Sequence, residues 1–63
     1  MKIDEVYRGY QIKYRRRKNL VANIWAPDGI WPLMPPIVVS MSEGMDVLKS
    51  RSKHKIDDHL NCA

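Results

Sequence analysis

The sequence predicts an α+β fold in which a three-stranded antiparallel meander precedes one C-terminal amphipathic helix, a β-β-β-α order. Residues before Ser40 alternate between apolar and polar, whereas later residues place apolar side chains on one stripe of a 3.6-residue helix. Turn signals separate the apolar runs. We therefore expect a single small domain over residues 1–63, with strands within 6–39 and a helix at about 41–60.

Two alternating segments predict the first two strands. Tyr10, Ile12 and Tyr14 alternate with polar residues, and the run 20–26 repeats this pattern with its even-numbered positions on one face. The residues between them, 16–19, are few enough to form a hairpin connection. Even-numbered residues of both strands are expected to face the core.

Glycine and proline mark the remaining breaks in the strand region. Gly9 indicates a bend, so residues 6–7 are expected to precede the first strand at an angle. The segment Pro27-Asp28-Gly29 predicts a chain reversal. Residues 30–39 then return as a third strand in two pieces, because prolines 35 and 36 cannot donate ladder hydrogen bonds, and 37–39 is the better-paired piece.

A capping box at Ser40 and Glu43 predicts the start of the helix. The Ser40 side chain is expected to accept from the Glu43 N–H, while the Glu43 carboxylate accepts from the Ser40 N–H. The predicted core joins two sets of residues, one from the strands and one from the helix: Tyr10, Ile12, Tyr14, Leu20, Ala22 and Ile24, and Met45, Leu48, Ile56 and Leu60.

Length, charge and cysteine content narrow the class of protein. A chain of 63 residues buries a small core, and the single Cys62 excludes an intrachain disulfide, so stabilisation by a second copy is expected to be useful. The N-terminus lacks the apolar run of a signal peptide, and no apolar stretch reaches the roughly 20 residues that a bilayer requires. We expect a cytoplasmic protein without membrane contact. The net charge of +4 favours approach to polyanions.

The run from Ala22 to Gly29, followed by a short strand and the segment Ser40-Met41-Ser42-Glu43-Gly44, resembles the small domain of HicB-type antitoxins. Residues 7–12 are also similar to the opening of short bacterial proteins of unknown function with this layout. The resemblance implies the strand and helix order. No DNA-binding helix-turn-helix or ribbon-helix-helix segment follows the domain, so no antitoxin role is carried over to particular residues.

Our first functional hypothesis is a small non-enzymatic interaction module that binds itself or another protein. Its candidate residues are Val21 and Trp25 on a sheet face that one helix cannot cover, and Ile37 and Val39 at a sheet edge. An exposed Trp25 would suit a subunit interface or a stacking platform for single-stranded nucleic acid.

The alternative hypothesis is a nucleic-acid binder without sequence preference. Its candidate residues are the basic residues of the first hairpin: Lys13, Arg15, Arg16, Arg17 and Lys18. The competing interpretation of this run is a solvated turn that keeps a small protein soluble. The helix cations are divided between the two edges of the apolar stripe, where such side chains commonly cover the rim of a core.

No pattern in the sequence indicates catalysis, a cofactor or a small-molecule substrate. The carboxylates fall in termini, turns and helix surface. The pair His59-x-x-Cys62, with His54 and Asp58 nearby, does not supply the four ligands of a structural zinc site. We therefore expect no enzyme activity and no metal.

Overall fold

The computed structural model describes residues 3–61, which form an antiparallel sheet followed by one helix. The α+β class and the C-terminal helix are confirmed, but the sheet has four strands instead of three. The strands follow one another across the sheet in chain order, so the sheet is a meander. The elements are β1 (Glu5–Tyr7), β2 (Tyr10–Arg16), β3 (Leu20–Trp25), β4 (Ile37–Val39) and α1 (Met45–Asn61).

The additional strand is β1, which pairs with β2 instead of leaving it at an angle. Tyr7 lies opposite Tyr10, so Arg8 and Gly9 alone form the connection. Both have positive φ angles, 52° and 85°, and two such residues are the geometry of a type I′ hairpin turn. The expected bend at Gly9 is thus a tight reversal.

The core lies between the sheet and α1. The even-numbered residues 10–14 of β2 and 20–24 of β3 face it, as predicted, and Val39 of β4 joins them, whereas Arg16 at the end of β2 is exposed. From the predicted set, Tyr14 and Met45 are half-buried against the core, whereas Leu60 is 36% exposed. The buried hydrophobic residues are Tyr10, Ile12, Leu20, Ala22, Ile24, Val39, Leu48 and Ile56.

The helix begins at Met45, four residues later than its predicted start at residue 41. Only half of the predicted capping box forms. The Ser40 N–H donates to Glu43 Oε2 at 3.1 Å, but the Glu43 N–H donates to the Ser40 carbonyl and not to its hydroxyl. Gly44 then has a φ of 86°, which turns the chain into the helix.

The connection between β3 and β4 remains attached to the sheet. The Gly29 N–H donates to the Ala26 carbonyl at the predicted reversal, and Pro32 bridges to Trp25 before the chain enters β4. Within the part of the chain that the structure describes, no helix has the length and hydrophobicity needed to span a membrane.

Candidate interaction surface on the open face of the sheet

One face of the sheet is not covered by the helix, and we call it the open face. Its side chains alternate along each strand with those that face the core. No described element packs over it, because α1 lies against the opposite face. The strand residues of the open face are Val6, Gln11, Lys13, Arg15, Val21, Asn23, Trp25 and Val38.

The half of the open face formed by β3 and β4 is largely apolar. Val21 lies opposite Val38, and Trp25 lies opposite Pro32, with Asn23 between these two pairs. Val38 is 48% exposed, whereas Val21 and Trp25 are half-buried. Cross-strand apolar pairs on an uncovered sheet face are the kind of surface that a second sheet covers in a β-sandwich.

The half formed by β1 and β2 is polar and basic. Gln11 lies between Val6 and Trp25 in one cross-strand row, and Lys13 lies opposite Asn23 in the next. Arg15 lies opposite Val21 in the third row. None of the eight residues that define the open face is acidic, and its two charged side chains are those of Lys13 and Arg15.

The loop beyond Trp25 adds apolar side chains at the same end of the sheet. Ile30 is 84% exposed and Trp31 is 79% exposed. Adjacent large apolar side chains that are exposed commonly mark an interaction site. Met34, which is 72% exposed, lies instead beside Lys55, Asp58 and His59 of α1. Pro32, the residue after Trp31, bridges to Trp25 and keeps this loop at the end of the sheet.

The structure separates the four residues predicted for protein interaction. Val21 and Trp25 lie on the open face, but Val39 is 2% exposed and Ile37 packs against the core. The side chains of Ile37 and Val39 are therefore part of the fold, and their neighbour Val38 occupies the open face instead. As an edge, β4 has only three residues, which offers little backbone for strand addition.

The run Arg15–Lys18, which we call the basic tip, lies at the end of β2 and in the turn to β3. All four side chains are exposed, and none has an ion-pair partner among residues 3–61. The Arg17 N–H donates to the Asn19 carbonyl at 3.0 Å and closes the turn. An open groove of about 550 Å³ beside the turn is lined by Arg17, Lys18, Asn19 and Val21.

Other charged groups form a seam between the sheet and α1. Tyr14 Oη donates to Glu5 at 2.6 Å, and Lys53 lies 3.3 Å from the same carboxylate. The hydrogen bond from Tyr14 and the Lys53 ammonium together lower the pKa of Glu5, whereas burial and the Glu5 carboxylate raise the pKa of Tyr14. Lys49 and Lys53 also lie over the rings of Tyr14 and Tyr7 at the rim of the core.

A second part of this seam surrounds Asp57. Arg8 Nη1 donates to Asp57 at 2.8 Å, and Tyr7 Oη donates to it at 3.1 Å. The hydrogen bond from Arg8 is the main reason that the pKa of Asp57 is lowered. The sequence pattern indicated neither part of the seam, because Lys53 and Asp57 contact residues about 50 positions earlier in the chain.

Among residues 3–61, no three His, Cys, Asp or Glu side chains are grouped so that they could hold a metal ion. His59 Nδ1 lies 2.6 Å from Tyr10 Oη, and the two rings meet edge to face. Cys62, which the sequence analysis considered with His59, lies outside the described residues.

Comparison with known proteins yields no match to a family model, a curated protein or a solved structure.

Proposed function

We propose that this protein is a small non-enzymatic interaction module that forms a homodimer through the open face of its sheet. The observation that carries this proposal is the apolar half of that face, where Val21 and Val38 form one cross-strand pair and Trp25 and Pro32 form another. A second copy would remove these side chains from water, and burial of apolar surface is the main favourable contribution to association.

The open face is complementary to itself about a two-fold axis that runs parallel to the strands between β2 and β3. This axis places β2 of each copy over β3 of the other. Lys13 then faces the partner's Asn23, and Gln11 faces the partner's Trp25. Arg15 faces the partner's Val21, so the apolar half of each copy is covered by the basic half of the other. The methylene groups of Arg15 would lie over Val21 while its guanidinium stays at the rim, and like charges are not in direct opposition.

The size of the face sets the expected strength of the dimer. β2 and β3 are about 20 Å long and β1 and β4 about 10 Å, and at a spacing of about 4.8 Å they present roughly 300 Å² to a facing sheet. A stable complex typically buries about 800 Å² on each partner. The face alone therefore supports a weak dimer, with a Kd of about 10 μM to 1 mM. The exposed side chains of Ile30 and Trp31 adjoin the Trp25 end and add to the apolar surface there.

Sedimentation velocity across a protein concentration series tests this proposal. Val38→Lys introduces a charge into the apolar half beside Val21 and should weaken self-association by at least about tenfold. Trp25→Ala should weaken it as well, since buried aromatic side chains commonly dominate interfaces.

Met41→Lys is the matched control, because Met41 is 43% exposed, similar to Val38 at 48%, but lies in the turn before the helix. It adds the same charge and should leave the dimer unchanged. A wild-type protein that remains monomeric at millimolar concentration would contradict the proposal, as would equal losses for Met41→Lys and Val38→Lys. Circular dichroism of each variant separates weakened association from unfolding.

A further inference from the structure

The four cations of the basic tip equal the net charge of the whole protein, which is +4. Of the eleven Lys and Arg residues, four lie in Arg15–Lys18, which leaves seven to balance the seven carboxylates elsewhere in the chain. Three of those carboxylates already accept ion pairs near the helix, from Arg8, Arg51 and Lys53. The positive potential of the molecule is consequently concentrated at one end of the sheet.

We infer that the basic tip binds nucleic acid through its phosphodiester backbone, without reading the bases. Three of the four cations are arginines, whose planar guanidinium groups match two phosphate oxygens at once. The groove beside the turn combines the cations of Arg17 and Lys18 with the Asn19 amide and an apolar wall from Val21. The nucleic-acid backbone is complementary to this groove, because the phosphate oxygens can accept from Arg17, Lys18 and Asn19 while the apolar edge of the sugar contacts Val21.

An acidic protein partner fits the basic tip less well. Protein interfaces generally enclose an apolar core with aromatic or aliphatic anchors, and the five exposed residues 15–19 contain neither. A purely ionic surface gains most from a polymer of regularly spaced charges, because each neutralised phosphate releases condensed counterions.

A lipid surface fits less well for a geometric reason. Stable binding to anionic membranes usually needs apolar insertion beside the basic residues. The exposed Ile30 and Trp31 follow the end of β3, whereas the basic tip precedes its start, so about 17 Å of strand separates the two features. A bilayer that touched the basic tip would leave these side chains outside it.

The inference is tested by fluorescence anisotropy with labelled single-stranded and duplex DNA of 20 nucleotides, at several salt concentrations. Four phosphate contacts predict that log affinity falls against log salt with a slope of about −3.6 for the duplex and about −2.8 for the single strand. Sequence changes in the oligonucleotide should leave the affinity within about twofold, because no base contact is involved.

The double variant Arg16→Gln/Arg17→Gln should reduce the duplex slope to about −1.8 and weaken binding at 50 mM salt by at least about tenfold. Lys49→Gln/Lys55→Gln is the matched control, because it removes the same net charge from the helix. If the two double variants lose affinity equally, or if wild type shows no binding at 25 mM salt, the inference is overturned.

Binding to vesicles containing anionic lipid but not to oligonucleotides would also overturn it, in favour of a membrane surface. Arg15 and Val21 also belong to the open face, so these titrations are made at protein concentrations below the dimer Kd. The Arg16→Gln/Arg17→Gln variant should keep the self-association of wild type, and Val38→Lys should still bind DNA.

Discussion

The tight turn between β1 and β2 makes a testable prediction about Gly9, because the three glycines of this chain differ in their φ angles and in the contacts that an added Cβ would make. Gly9 has a φ of 85°, and a Cβ added there would lie 3.3 Å from Pro27 Cγ. A left-handed conformation costs an ordinary L-residue about 1–2 kcal/mol, and the close contact adds to this. Gly9→Ala should therefore lower the free energy of unfolding by about 2 kcal/mol.

The other two glycines supply internal controls. Gly44 has a φ of 86° but no atom within 4 Å of an added Cβ, so Gly44→Ala should cost only the conformational part, about 1 kcal/mol. Gly29 has no positive φ, and its added Cβ would meet Ala26 at an ordinary 3.5 Å. Gly29→Ala should be neutral or slightly stabilising, because alanine restricts the unfolded chain.

Urea unfolding followed by tryptophan fluorescence measures all three variants. A domain of this length has a stability of about 3–9 kcal/mol, so a loss of 2 kcal/mol shifts the midpoint clearly. The expected order of cost is Gly9, then Gly44, then Gly29. A Gly9→Ala variant as stable as wild type would refute the reasoning and remove the evidence that β1 pairs through a two-residue turn.

Two further predictions concern pH and the start of the helix. The pKa values of Glu5 and Asp57 are lowered in the folded protein, so the stability that these carboxylates contribute is present above their ordinary pKa values near 4 and is lost as pH falls through the folded values. Urea midpoints measured from pH 7 to pH 2 should fall less steeply in a Glu5→Gln/Asp57→Asn variant, and an unchanged profile would contradict the assignment. Glu43→Ala should cost about 0.5–1 kcal/mol, because the Ser40 N–H loses its acceptor. Ser40→Ala should cost less than about 0.5 kcal/mol in the same assay, since the Ser40 hydroxyl contacts Ser42 Oγ and no helix N–H. A larger loss for Ser40→Ala than for Glu43→Ala would instead support the complete capping box predicted from the sequence.

Periodicity predicted the parts of the fold in which side chains alternate over several residues. β2 and β3 have seven and six residues, which is enough alternation to show which face is buried. The core-facing residues of both strands were therefore predicted from the sequence. β1 has three residues, and its turn places Arg8 at a positive φ that non-glycine residues adopt rarely. The local sequence therefore gave no strong hairpin signal, and the Arg8–Asp57 contact that accompanies the pairing joins residues far apart in the chain.

The candidate surfaces were likewise predictable only where the sequence alternates or clusters its charges. Val21 and Trp25 follow from the alternation of β3, and the basic tip follows from a hairpin that exposes four adjacent cations. The run Ile37–Val39 contains three apolar residues in succession, so no alternation indicates which of them faces outward. Pairing with β3 decides this, since Val39 lies opposite the buried Leu20 and Val38 opposite Val21.

The two proposals, if both hold, constrain each other through geometry. A two-fold axis parallel to the strands keeps the basic tips of both copies at the same end of the dimer, whereas an axis perpendicular to the strands places them at opposite ends. Two adjacent tips can engage one oligonucleotide, which doubles the phosphates neutralised and steepens the duplex salt slope from about −3.6 towards −7. Opposite tips leave the slope for a short duplex unchanged. Slopes measured below and above the dimer Kd therefore report the symmetry of the interface, and Val38→Lys should return the steeper slope to the value of the monomer.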